Sequence, residues 1–170
     1  MTHLIIDGYN YINRIRTSPP TGEASLDMLR RALLDRFLQY KRLKSVKLTV
    51  VFDAYNSSSP GRQRENYKGI SVVYSRENET ADDVIIGFIR EKRAGIIAVS
   101  SDRVIIDEAK KNGVAFLTPP GMEALMINNI AGTDDNDESY ETYRNSAKKR
   151  GNPRKLPKKL RKSTKAIHKI

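Results

Sequence analysis

Cysteine is absent from this 170-residue sequence, and histidine occurs only at positions 3 and 168. Without cysteine the chain has no disulfide, no thiolate zinc site and no cysteine nucleophile. His3 begins an apolar segment and His168 lies in the last few residues, so neither a histidine base nor a histidine-rich metal site is expected. Oxygen ligands are what remain for binding a metal.

Long apolar runs are also missing. None approaches the roughly 20 residues needed to span a bilayer. The sequence enters the apolar run Leu4–Ile6 almost at once, without the basic and long apolar regions of a signal peptide. We therefore expect a cytoplasmic protein without membrane association.

The net charge of +11 is concentrated at one end of the chain. Residues 1–146 carry 20 basic and 20 acidic residues, whereas residues 147–170 carry 11 basic residues and no acidic one. The composition predicts a domain over 1–132, an acidic linker or helix over 133–146 and a disordered basic tail over 147–170. Such a charge run is often only solvated, but its density favours phosphate binding.

Apolar patterning predicts alternating strands and helices. The predicted strands are His3–Asp7, Lys47–Asp53, Ile70–Ser75, Gly95–Ser100 and Val114–Thr118, and the predicted helices are Ser25–Lys44, Thr80–Arg93, Asp102–Asn112 and 121–131. Several strands are continuous apolar runs, as in a parallel sheet that is covered on both faces. The expected fold class is α/β, with a central, mostly parallel sheet of about five strands between two layers of helices.

Acidic residues follow four of these predicted units. Asp7 and Asp53 end strands, Asp82 and Asp83 open a helix, and Asp102 follows the fourth strand. The carboxyl ends of parallel strands share one edge, where ligands bind in open α/β sheets. Carboxylates held together repel one another unless cations lie between them. Oxygen ligands suit Mg²⁺ or Mn²⁺, which activate water and polarise phosphate esters.

Each of these acids also has a purely structural interpretation. Asp7 precedes a glycine, a common turn pair, and Asp53 fits a turn after a strand. Asp83 lies three residues after a threonine, as in a capping box, and Ser101 or Asp102 fits an N-cap. No single acid is strong evidence, and it is their coincidence on one edge that favours a site.

Two basic segments are predicted to bind RNA. The first is the long connection Tyr55–Gly69, the only basic segment expected near the acids, with Arg62, Arg64 and Lys68 beside Tyr55 and Tyr67. The second is the tail, with Lys148, Lys149, Arg150, Arg154, Lys155, Lys158, Lys159, Arg161 and Lys162. Tyr9 and Tyr11 are further candidates for stacking on bases, although tyrosines often only pack.

Signatures of other phosphate chemistry are missing. The sequence contains neither a G-x-x-x-x-G-K-[ST] loop nor a G-x-G-x-x-G motif, so no nucleotide cofactor is expected. Asp7 has no second aspartate two residues later, as a dehalogenase-type phosphatase would. The last strand is followed by Thr118-Pro119-Pro120 and not by the lysine of a response-regulator receiver.

Four motifs resemble one known family. They are Ile5-Ile6-Asp7-Gly8-Tyr9-Asn10, Val50-Val51-Phe52-Asp53-Ala54, Glu79-Thr80-Ala81-Asp82-Asp83 and Ser100-Ser101-Asp102. In order and spacing they resemble the NYN domains of the PIN-like nuclease superfamily, in particular the YacP-like branch of bacterial-type RNA endonucleases. The resemblance covers about residues 1–130 and leaves out the basic tail.

The resemblance implies a PIN-like fold and Mg²⁺- or Mn²⁺-dependent cleavage of single-stranded RNA. Asp7, Asp82 and Asp102 would be the central metal ligands, and Asp53 and Asp83 supporting acids. The family's connection with translation adds the ribosome as a second candidate partner.

Two polar residues and one departure complete the comparison. By the same match, Asn10 and Ser101 would orient metal-bound water or phosphate. The stretch Arg103–Asp107 is less polar than the family pattern, which leaves Asp107 as only a candidate ligand. A non-catalytic RNA- or ribosome-binding adaptor and a hydrolase of small phosphoesters stay open as alternatives.

Overall fold

Strands and helices alternate through the residues that the computed structural model describes, which are 1–15, 23–54, 61–91 and 93–131. The strands are β1 (Thr2–Asp7), β2 (Val46–Phe52), β3 (Gln63–Tyr67), β4 (Ile70–Tyr74), β5 (Ile96–Val99) and β6 (Ala115–Leu117). The helices are α1 (Gly8–Ile15), α2 (Glu23–Leu43), α3 (Ala81–Arg90), α4 (Arg103–Asn112) and α5 (Pro119–Ala131).

One six-stranded sheet has the order β3-β4-β2-β1-β5-β6, and only β3 runs antiparallel to its neighbour. The central strand β1 pairs with β2 on one side and with β5 on the other. Both neighbours are parallel to it, so the carboxyl ends of all three lie at the same edge. The predicted α/β class with a mostly parallel sheet is confirmed.

Helices cover both faces of the sheet, which gives three layers. Leu4 and Ile6 of β1 pack with α1, α2 and α5, whereas Ile5 between them packs with α3 and α4. All three side chains are fully buried, because successive residues of a strand point to opposite faces. This explains why the strand sequences are continuous apolar runs. Within the described ranges, no helix is both long and apolar enough to cross a membrane.

The strand β3 was not predicted. The connection Tyr55–Gly69 was expected to be a loop, but residues 63–67 pair with β4 through the tight turn at Lys68 and Gly69, both with positive φ. β3 is an edge strand whose residues are mostly exposed. Its sequence therefore carries no apolar pattern, and the expectation of about five strands was one too few.

Helix α1 was also missed, since Asp7-Gly8 looked like a turn. Gly8 is instead the first residue of the helix and packs against the ring of Phe52. A Cβ at this position would come within 2.2 Å of a ring carbon of Phe52, a distance that no packed side chain tolerates. Close approach of helix and sheet is thus the reason for this glycine.

The sequence beyond residue 131 lies outside the described residues. The predicted acidic segment 133–146 and the basic tail 147–170 therefore stay predictions, as does the role of Tyr55 in the undescribed stretch 55–60.

Candidate active site

The edge formed by the carboxyl ends of β1, β2 and β5 is where the predicted acids lie. The switch point of the sheet falls between β1 and β5, because the chain reaches β2 over one face and β5 over the other. Ligands in open α/β sheets bind in the crevice at such a point. Four acids surround it, and we call them the acidic rim: Asp7, Asp53, Asp82 and Asp102.

Asp7 is the most buried acid of the rim, with 6% of its surface exposed. Its carboxylate accepts hydrogen bonds from the backbone N–H of Asn10 (3.1 Å) and from the hydroxyl of Ser100 (3.0 Å). Burial raises its pKa to about 6, and the nearby charges of Asp82 and Asp53 act in the same direction. A carboxylate in this state is stabilised by any cation that comes close.

Asp53 and Asp82 lie at the start of α3. Asp53 Oδ1 accepts a hydrogen bond from the backbone N–H of Ala81 (2.5 Å), which ties the end of β2 to the helix N-terminus. Asp82 is half-buried, and its carboxylate forms no hydrogen bond with a described residue. Burial raises the pKa of Asp82, and so do the charges of the three acids around it, first among them Asp102.

Asp102 is both a rim acid and the N-cap of α4. Its Oδ1 accepts a hydrogen bond from the backbone N–H of Val104 (2.7 Å), and its own N–H donates to Ser100 Oγ (3.0 Å). The N-cap interpretation of Asp102 therefore holds. It uses one carboxylate oxygen, and the other oxygen forms no hydrogen bond within the described chain.

Asp83 is occupied by the capping box of α3. Its carboxylate accepts hydrogen bonds from the N–H (3.1 Å) and the hydroxyl (2.9 Å) of Thr80, while its own N–H donates to the threonine hydroxyl. These bonds lower its pKa, and its side chain is exposed. The geometry accounts for Asp83 as a cap, and a supporting role at the site stays a prediction.

Asn10, Ser101 and Arg14 connect α1 to the loop after β5. Asn10 Oδ1 accepts hydrogen bonds from the backbone N–H (2.9 Å) and the hydroxyl (2.8 Å) of Ser101. Arg14 Nε in turn donates to Ser101 Oγ (2.8 Å). A guanidinium is thus fixed at the edge of the rim, next to the two polar residues that the sequence singled out.

Arg14 is the residue that sequence reasoning missed. The connection 55–69 was expected to be the only basic segment near the acids, whereas Arg14 lies outside that segment and contacts Ser101, the residue before Asp102. Because α1 was not predicted, the spacing of four residues between Asn10 and Arg14, which places both on one helix face, carried no meaning.

The donors of the rim match a hard divalent cation in kind. All are carboxylate oxygens, none forms a salt bridge with a described residue, and they raise one another's pKa at Asp7 and Asp82. Their spacing is wide, since no three acidic or histidine side chains of the described residues are close enough to hold one ion. Mg²⁺ commonly binds through one or two carboxylates together with waters and substrate phosphates. The residues present fit that mode and not a cage made by protein alone.

The cationic residues predicted to bind RNA are partly engaged within the protein. Arg62 forms a two-point ion pair with Glu79 (2.8 and 2.5 Å), which raises the pKa of the arginine. Lys68 lies 3.9 Å from Asp35 and 5.2 Å from the centre of the Tyr67 ring. Arg64 on β3 is exposed and has no ion pair with a described residue. Of the three, Arg64 is the most available to an anion.

The tyrosines that were candidates for stacking on bases are also partly engaged within the protein. Tyr11 is fully buried and donates a hydrogen bond to Glu123 (2.6 Å), so the expectation that it could stack on a base was wrong. Tyr9 packs edge-on against Phe52, and Tyr67 donates to Asp35 (2.7 Å) with its ring partly exposed.

Fold and rim together define the class of protein: a PIN-like α/β domain with an acidic edge. The family model described as YacP-like NYN domain matches residues 4–169 of the sequence, and the chain belongs to this family. NYN domains are nuclease-type, RNA-binding domains, and divalent metals are commonly required by PIN-like nucleases. The match runs through the basic tail, so the expectation that the shared region ends near residue 130 was too short.

Known proteins of Bacillus subtilis illustrate the family. The uncharacterized protein YacP of Bacillus subtilis (strain 168) is 29% identical over 85 residues, which is 50% of this chain and 49% of that protein. The chain thus spans about half the length of this curated relative. The crystal structure of Rae1 (YacP) from Bacillus subtilis superposes with a TM-score of 0.61 at 21% identity, over 77% of this chain and 76% of that one. The crystal structure of a mutant of the same protein gives a TM-score of 0.63 at 21% identity, over 77% and 78%.

Proposed function

We propose that this protein is a metal-dependent endoribonuclease that hydrolyses phosphodiester bonds of single-stranded RNA. The observation that carries the proposal is the acidic rim: four successive structural units deliver carboxylates to the switch point, and no described cation neutralises them. A structural role explains single acids, such as the cap formed by Asp102, but it does not explain why buried Asp7 is placed beside further acids at a cost in stability.

Asp7, Asp82, Asp102 and Asp53 are the acids that would hold Mg²⁺ or Mn²⁺, one or two of them at a time together with water and RNA phosphate. The bound ion would supply an ionised water and charge neutralisation at the phosphate. The chain's own residues set the geometry around it. Asn10 holds the Ser101 loop in place through two hydrogen bonds.

Arg14 would attract the phosphate that is to be cleaved. Its guanidinium is held through Nε on Ser101, and its terminal nitrogens form no hydrogen bond with a described residue, so they are available to an anion. The rim itself repels RNA, so affinity has to come from elsewhere. We assign it to Arg64 and the 55–69 segment and to the eleven cations of the tail. The location would be the cytoplasm, and an RNA on the ribosome is a candidate substrate.

The test compares wild type with Asp102→Asn and Asp82→Asn on single-stranded RNA and DNA, with Mn²⁺ and with EDTA. Glu91→Gln, an exposed acid at the C-terminal end of α3 and not a candidate ligand, is the matched control. Cleavage is expected for wild type and the control, and only with metal and RNA. Asparagine keeps the size and the N-cap bond of Asp102, so loss of cleavage without loss of folding would identify the charge as the cause. Full activity of both rim variants would refute the proposal.

The second candidate is a non-catalytic RNA-binding adaptor with the same fold. It is favoured by one observation, namely that no three acids of the described residues converge on one point. A titration of Mn²⁺ followed by thermal unfolding separates the two. A working site raises the melting temperature of wild type more than that of Asp102→Asn, whereas an adaptor shows equal, small effects in both proteins.

A further inference from the structure

A concave surface lies between helix α2 and the β3–β4 hairpin. It is a cavity of about 340 Å³, at the small end of the range for ligand pockets. Charged and aromatic side chains line it: Asp27, Arg30, Arg31, Glu65, Tyr67 and Tyr74. Two cations, two anions and two phenol rings around a space of this size suit a ligand with both polar edges and a flat apolar face.

Arg30 forms the floor of this cavity and is held by aromatic rings. Its guanidinium carbon lies 5.3 Å from the ring centre of Tyr9, 5.7 Å from that of Phe52 and 5.8 Å from that of Tyr74. The rings also contact one another, with centres 5.1 Å apart between Tyr9 and Phe52 and 5.9 Å apart between Phe52 and Tyr74. One cation thus covers a row of three rings.

Hydrogen bonds orient the same guanidinium. Arg30 Nη1 donates to Asp27 (2.6 Å), and Nη2 donates to the hydroxyl of Tyr9. Its Nε is buried and has no hydrogen-bond partner among the described residues. The guanidinium of Arg30 is therefore already positioned in the absence of a ligand, which reduces the loss of side-chain entropy on binding.

The ring row leads from the cavity to the rim. Tyr9 follows Asp7 by two residues, and Phe52 immediately precedes Asp53. Tyr74 is paired with Phe52 across β4 and β2 and lines the cavity itself. A series of ring contacts therefore joins the cavity to residues that neighbour two acids of the candidate active site, and the charge of Asp53 acts on Tyr9.

We propose that this cavity binds one nucleotide of the RNA strand, adjacent to the phosphodiester at the acidic rim. The base lies against Tyr67 and Tyr74, its amino groups face Glu65, and its phosphate faces Arg31. Other proteins bind single-stranded RNA by this combination of base stacking on aromatic rings and contact of cationic side chains with the phosphate backbone. The inference rests on the proposed function, because it takes the rim as the place where the strand is cut.

Arg31 provides the sharpest variant. It is exposed, forms no ion pair with a described residue and contributes to the cavity. Arg42 is the matched control: it is exposed on the same helix, 11 residues further along, which brings it back to nearly the same face but about 16 Å away. Arg42 also lies near the start of β2, at the opposite edge of the sheet.

The experiment measures binding of the full chain to a fluorescent single-stranded RNA in EDTA, for wild type, Arg31→Glu and Arg42→Glu. Arg31→Glu is expected to weaken binding roughly tenfold, and Arg42→Glu less than about twofold, since only the first replaces a phosphate contact by repulsion. In parallel, RNA containing 4-thiouridine is cross-linked to wild type by ultraviolet light. The cross-linked peptides are expected to contain Tyr67 or Tyr74.

Equal affinities of the two variants, or cross-links confined to peptides that do not line the cavity, would overturn this assignment. If the cavity assignment fails in this way but wild type cuts RNA with Mn²⁺, the proposed nuclease function stands without the nucleotide-binding cavity. If wild type neither binds nor cuts RNA, both fail. If wild type binds RNA but does not cut it, the proposed nuclease activity is refuted. The cross-linked peptides then still show whether the cavity holds a nucleotide.

Discussion

Replacing Asp7 by asparagine should stabilise the folded protein at neutral pH. Asp7 is 6% exposed, and burial, together with the charges of Asp82 and Asp53, raises its pKa from 3.8 to about 6. Asparagine has the same shape and no charge. It can still accept the hydrogen bond from Asn10 and donate one to the Ser100 hydroxyl, so the substitution removes the repulsion and keeps the contacts.

The size and the pH range of the effect follow from linkage. The pKa of Asp7 is higher in the folded than in the unfolded state, so the unfolded chain releases this proton first. Wild type therefore loses stability as the pH rises from about 4 to about 6, and the loss is complete at pH 7. Raising the pKa of Asp7 from 3.8 to about 6 corresponds to about 3 kcal/mol of stability. The difference between wild type and Asp7→Asn should be small at pH 4 and should disappear below about pH 3, where the aspartate is protonated in both states.

Urea unfolding in EDTA between pH 4 and pH 8 measures this difference. Asp107→Asn, on the exposed side of α4, is the control and should change the free energy of unfolding by less than about 0.5 kcal/mol at pH 7. The reasoning is refuted if Asp7→Asn is less stable than wild type at pH 7.5, or if its advantage does not shrink as the pH falls. A gain in stability of Asp7→Asn that shrinks as the pH falls would indicate that Asp7 is retained for something other than folding.

Three further predictions concern the fold and the tail. Gly8→Ala should lower the free energy of unfolding by about 1–3 kcal/mol in a urea titration, because its Cβ would collide with the ring of Phe52, and an unchanged midpoint would contradict the packing described here. Asp83→Ala should cost about 1 kcal/mol in the same assay through loss of the capping box, with Asp83→Asn, which retains part of it, in between. Deletion of residues 147–170 should weaken RNA binding and flatten its dependence on salt concentration, and an equal slope in both proteins would remove the tail from RNA binding.

Much of the sheet could be predicted, because buried strands have mostly apolar sequences. β5 is a continuous apolar run and β2 is buried at every position but Lys47, and only a sheet covered on both faces needs that. The opposite holds for β3: all but one of its residues are exposed, so its pairing depends on backbone hydrogen bonds to β4 and leaves no apolar pattern.

The candidate site was predictable to the extent that it depends on strand ends. Asp7, Asp53 and Asp102 were expected to share an edge, since the carboxyl ends of parallel strands do so, and the structure places them there. Asp83 could not be decided in advance. Its place after Thr80 fits both a cap and a ligand, and only the direction of the side chain shows that it accepts the capping hydrogen bonds.

The sequence by itself determined the α/β alternation, the edge at which the acids lie and the concentration of the excess positive charge in residues 147–170, because these depend on local order along the chain. Tertiary structure alone decided which other groups surround those acids. Arg14 reaches Ser101 across 87 positions of sequence, and Arg30 covers rings from three separate elements. Such contacts depend on how α1 and α2 dock onto the sheet, and no spacing within the sequence encodes a distance between elements that meet only after folding.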